Sequence, residues 1–137
     1  MTEVVRSEMP QIALGEHRVS RLILGANPIN GGSHLSRFVN QQMRRYFTPE
    51  RVASLLAQCE QLGINTWQSG PTNLEAYEAF CKQGRMQYVS LAHDNSDDPD
   101  VLDRLIGAGT IGIAHHGEVT DKLWKTGGIE GVREYCK

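Results

Sequence analysis

The segment from Gln11 to Gly25 holds short apolar runs on either side of Gly15 and Glu16, the pattern of a β-hairpin leading into a first buried strand. Residues 27–47 are polar and too long for an ordinary connection, which predicts a functional loop or a short additional helix carrying Arg37, Arg44 and Arg45. Thr48-Pro49-Glu50 is a helix start: threonine caps free amides, proline suits the first helical position, and glutamate complements the dipole. Val52, Leu55, Leu56, Cys59 and Leu62 then fall on one helical stripe, Gly63 stops it, and Ile64 to Gln68 reads as a short strand. The step repeats with Leu74, Tyr77, Phe80 and Cys81 on a helix ending at Gly84, followed by a strand-forming run from Met86 to Ala92. Asp98-Pro99-Asp100 opens a third helix through Leu105 and Ile106, which feeds a strand over Thr110 to Ala114, and a fourth helix is expected to begin near Gly127 or Gly128.

Four strands alternating with helices require parallel pairing and right-handed crossovers, so the chain is α/β and either a doubly wound sheet or a barrel. No Gly-x-Gly-x-x-Gly follows the first strand and no phosphate loop occurs, which favours a parallel (β/α) barrel of the TIM type. A complete barrel takes ~250 residues. Four units within 137 residues, and a last helix ending without a stop signal, give the expectation of a half or truncated barrel. Residues 1–10 are read as a tail and 11–137 as the N-terminal half, with the C-terminal half absent. Such a half leaves strand edges and an apolar inner face open, so self-association or pairing with a missing C-terminal half is expected.

Composition narrows the partners. With 39% hydrophobic and 22% charged residues the chain is globular, and a net charge of −2 supplies no basic surface for nucleic acid or anionic lipid. No stretch reaches the ~20 apolar residues of a membrane span, and the first residues lack the layout of a secretion signal, so a cytoplasmic protein acting on a small polar molecule is expected. Cys59, Cys81 and Cys136 are widely spaced within apolar helical patterns, which predicts core packing and neither disulfides nor a zinc knuckle.

Two segments carry a family resemblance. Val19-Ser20-Arg21-Leu22-Ile23-Leu24-Gly25-Ala26-Asn27-Pro28-Ile29 resembles the opening of the aldo-keto reductases, in which a strand ends in a glycine and a loop near the nicotinamide. Leu62-Gly63-Ile64-Asn65-Thr66-Trp67-Gln68-Ser69-Gly70 resembles that family's "leucine-glycine-isoleucine-asparagine, two aromatics, aspartate-threonine-alanine" strand. The resemblance implies a barrel oxidoreductase using NADP or NAD on a small carbonyl or sugar-like substrate, with Ala26 and Asn27 beside the cofactor. It also implies a tetrad of aspartate, tyrosine, lysine and histidine. Here Gln68 stands at the aspartate position, Asn73 at the tyrosine position, and Ala92 or, with a one-residue shift of the strand, His93 at the lysine position. His115 matches the histidine and is the one catalytic candidate. The family's cofactor-phosphate site lies on its seventh and eighth strands, so the isolated chain is expected to bind no cofactor and to be inactive.

Apart from the resemblance, Asn27, Gln68, Ser69, Asn73, His93, Asp94, His115, His116 and Glu118 are all expected at strand carboxyl ends, on one barrel rim. Gln68, Asn73, Asn27, His93 and His116 are candidate binders of a polar substrate, with Trp124 on a rim loop where it can stack on a ligand. His93, Asp94, His115 and Glu118 are residue types that bind zinc, manganese or iron, which opens an alternative reading as a metal-dependent hydrolase, lyase or isomerase. Against it, neighbours such as His115 and His116 point to opposite faces of a strand, and no recognised metal spacing is present. The third alternative is a non-catalytic barrel module. Arg37, Arg44 and Arg45 are weighed as an anion-binding lid over the rim, against ordinary solvated charges.

Overall fold

The computed structural model describes residues 8–92 and 99–135. A hairpin of β1 (Gln11–Leu14) and β2 (His17–Ser20) turns at Gly15, whose φ of 57° is a backbone state that glycine adopts without strain. The next strand is reduced to one bridge: Leu24 pairs in parallel with Trp67, giving its N–H to Thr66 and its carbonyl to Gln68. Residues 27–47, left open between loop and helix, form two helices. In α1 (Asn27–Asn30), Pro28 sets the first turn and Gly31, in the left-handed region, closes it. In α2 (Arg37–Tyr46), the Ser36 hydroxyl caps the Val39 amide and no residue is buried.

The helix α3 (Pro49–Gln61) and β3 (Thr66–Ser69) follow the periodicity closely. Leu62 departs from it, because it lies one residue past the helix, where the chain turns into Gly63, and is 67% exposed. A short 3-10 turn over Pro71–Asn73 leads into α4 (Leu74–Cys81), then β4 (Gln87–Ala92), α5 (Pro99–Gly107) and β5 (Gly112–His115). The last helix, α6 (Gly117–Tyr135), begins well before the expected start, and the glycine pair interrupts it instead of opening it: Gly128 has non-helical angles of φ 57° and ψ −153°. Trp124 therefore sits on a helix, 58% exposed, and not on a rim loop.

The sheet is parallel, with β4 between β3 and β5, and the Leu24 bridge extends it in chain order beyond β3. Register pairs Trp67 with Tyr88, Gln68 with Val89, Ser69 with Ser90, Ser90 with Ile113 and Ala92 with His115. The two faces therefore differ. Trp67 and Tyr88 are buried, their rings edge to face at 5.5 Å, in a core with Val52, Leu56 and Cys59 of α3, Leu74, Tyr77 and Phe80 of α4, and Leu105 of α5. Cys59 is buried as expected, whereas Cys81, the last residue of α4, is exposed and Cys136 lies outside the described residues. No described helix is long and apolar enough to cross a membrane.

The opposite face is open. Gln68, Val89 and Ala114, with Leu14, Ile23 and Leu24, line a largely apolar hollow of about 390 Å³. The hairpin crosses the amino ends of the strands, where the Arg18 carbonyl accepts from the Asn65 and Gln87 side-chain amides. The parallel sheet is open at the β5 edge, and no closed barrel forms among the described residues.

Candidate functional site

At the carboxyl ends of parallel strands the chain must turn away from the sheet, and the polar groups freed there are available for ligands. Two such ends come together here, after Leu24 and after β3. Asn73, at the start of α4, donates its Nδ2 to Asn30 Oδ1 at 2.7 Å and to Ser69 Oγ at 2.7 Å. Asn30 belongs to α1, so this one amide ties the first loop to the third strand. Next to it the Tyr88 hydroxyl donates to the Gly70 carbonyl at 2.7 Å. Burial pushes the Tyr88 phenol up to about 12, with a hydrogen bond from the Ser69 side opposing the rise.

Asn27 opens α1 and stays exposed, with its carbonyl accepting from Gly32 at 2.7 Å. Ala26 is only 7% exposed and belongs to the core, so of the two positions beside the expected cofactor only Asn27 offers surface. Gln68 is half-buried and faces the apolar hollow, where its side chain has no hydrogen-bond partner among the described residues. Its neighbours Trp67 and Ser69 face the helices, because successive residues of a strand alternate.

The same alternation separates the histidine from Gln68. His115 stands two residues beyond Ile113, on the helix-facing side of the sheet, and its ring lies 5.1 Å from that of Tyr135 in α6. Gln68 and His115 thus occupy opposite faces. His116 uses Nδ1 to accept the Glu118 amide at 3.3 Å, and Glu118 pairs with Lys122 at 2.9 Å. That pairing holds the Glu118 carboxyl below its usual range. His93 and Asp94 lie outside the described residues, and Ala92 is registered opposite His115. Among the described residues no three His, Cys, Asp or Glu side chains cluster closely enough to hold a metal ion.

The expected rim therefore resolves into two groups: amides and a serine around β3, and histidines with Glu118 around the end of β5. Asn30 was not anticipated from the sequence. The signal for it is present in Asn27-Pro28-Ile29-Asn30-Gly31, where proline opens and glycine closes a single helical turn. Comparison of the chain with protein-family models, with curated proteins and with solved structures finds no match.

Proposed function

We propose that this chain forms the first part of an aldo-keto reductase-like (β/α) barrel and binds a small carbonyl or sugar-like molecule at the rim around Asn30, Ser69 and Asn73. The observation that carries the reading is the Asn73 amide shared between Asn30 and Ser69, at the carboxyl ends of parallel strands that follow one another in chain order. Barrels place their chemistry at that end, and a doubly wound sheet would instead reverse its strand order. Side-chain amides offer both donors and acceptors, the complement of hydroxyl and carbonyl groups, but have no proton to exchange near neutral pH. These residues hold and orient a ligand, and proton transfer falls to another group.

In the oxidoreductase form of this reading Asn27, exposed at the start of α1, would stand beside the nicotinamide of NADP or NAD, which would supply a hydride. The same reading covers the apolar hollow with further parallel strands paired to β5. A second copy of this chain can provide them, since two sets of four strands make the eight of a closed barrel.

The test is titration of isotope-labelled protein with glyceraldehyde and with xylose, following the side-chain amide resonances of Asn30 and Asn73. Displacement of both signals, lost in Asn73→Ala while the fold persists, supports the site. If these two signals stay fixed while the protein remains folded, the reading fails.

A further inference from the structure

From His17 to Pro49 the chain carries five arginines, at 18, 21, 37, 44 and 45, and no aspartate or glutamate. That imbalance is local, because the protein as a whole has a net charge of −2. Three of these arginines lie on α2, and none of the three forms an ion pair among the described residues. Unpaired arginines on one short helix repel each other and are ordinarily solvated, so charge alone assigns them nothing.

Arg44 differs in being seated. Its Nη1 donates to the Asn30 carbonyl at 3.4 Å, a long contact that uses only one of five donors. Its stem lies across Gly31, where a Cβ would stand 2.8 Å from Arg44 Cγ and 2.5 Å from the Asn40 carbonyl. The absence of a side chain at Gly31 is thus what lets Arg44 approach the first turn. A continuous chain of polar contacts results, from Arg44 through Asn30 to Asn73 and Ser69.

We infer that the ligand of this rim carries an oxyanion, a phosphate ester or a carboxylate, and that Arg44 binds it while the amides hold the hydroxyl or carbonyl end. The inference rests on the proposed rim site and names the class of its substrate. A guanidinium fork matches the planar pair of oxygens on either anion, and a charge-assisted pair is about twice as strong as a neutral hydrogen bond. No acidic side chain in this stretch competes for the guanidinium.

The experiment compares glyceraldehyde, glyceraldehyde 3-phosphate and glycerate by titration at low ionic strength, reading the Arg44 Nε–H resonance beside the Asn30 and Asn73 amides. An anionic compound is expected to bind about tenfold more tightly than the neutral one, the range of one charge-assisted contact. Arg44→Gln should erase that preference, bringing the anionic compounds to the affinity of the neutral one, and unfold at the same temperature as the parent. The two anionic arms identify which oxyanion is preferred. Equal affinity for all three compounds, or a preference that survives Arg44→Gln, overturns the inference and leaves the rim site standing. Failure of all three to move the Asn30 and Asn73 signals overturns the site and the inference together.

Discussion

Asn65 and Ser20 hold each other in both directions: Ser20 N–H donates to Asn65 Oδ1 at 2.7 Å, and Asn65 N–H donates to Ser20 Oγ at 3.0 Å. Asn65 also donates to the Arg18 carbonyl and accepts from Thr66 Oγ1, so one side chain fastens the hairpin to the start of β3. Ser20 and Thr66 are fully buried. Asn65→Ala should therefore cost roughly 2 kcal/mol, several net hydrogen bonds with a buried amide left unmade. Urea unfolding followed by tryptophan fluorescence measures it, and a loss under 0.5 kcal/mol would show that the hairpin is not held this way.

The tyrosines give stability an alkaline limit. Burial raises the Tyr88 phenol to about 12 and raises Tyr77, stacked on it at 4.6 Å, further still. Both lie above the unfolded value near 10, so folding favours the neutral phenols. Their contribution is complete below pH 10 and is lost as pH rises through 12. Denaturation midpoints should thus fall between pH 10 and 12, and this fall should be smaller in Tyr88→Phe. A fall of the same size in that variant would place its origin elsewhere.

Gly31→Ala tests the seat of Arg44. A methyl group there meets the Asn40 carbonyl and the Arg44 stem, in a backbone at φ 62° that alanine disfavours. The expected cost is about 1 to 3 kcal/mol, from strain and overpacking. Amide exchange across residues 27–46 should quicken while β3 and β4 remain protected. Uniform loss of protection would instead mean that α1 and α2 are integral to the core.

Leu14 and Ile23 are each 44% exposed beside the hollow formed with Val89 and Ala114. Sedimentation velocity should show a dimer that forms with rising concentration, and Val89→Asp should shift it to monomer by placing a charge on that face. A dimer indifferent to Val89→Asp would mean that another surface makes the contact.

Elements that bury a periodic stripe were legible in the sequence: Val52, Leu56 and Cys59 on α3, and Leu74, Tyr77 and Phe80 on α4, face Trp67 and Tyr88 as their spacing requires. Elements that bury nothing were legible only as one of two alternatives, as with α2, or with a displaced start, as with α6. The helix α2 has no buried residue, so no stripe marked it, and the first part of α6 is similarly exposed. The glycine pair at 127 and 128 looked like a helix boundary because glycine is usually one; here it breaks a helix already under way. Of the site, Asn73 was identified from its position after the strand. Asn30 was not, since its role depends on a contact 43 residues away in the chain. The face of His115 followed from register, which no single strand reveals.

The hairpin's anchorage also bears on how the protein is born. Arg18 is held by Gln87, 69 residues later, and Ser20 by Asn65, 45 residues later. A ribosome adding about 5 to 20 residues per second takes roughly 3 to 14 seconds to cover that longer gap. Through that interval the Arg18 carbonyl and the Ser20 amide lack the side chains that anchor them in the folded protein. The hairpin is thus fastened to the sheet only once β4 has been made, so its anchorage is a late event in synthesis although its own strands are early in the chain.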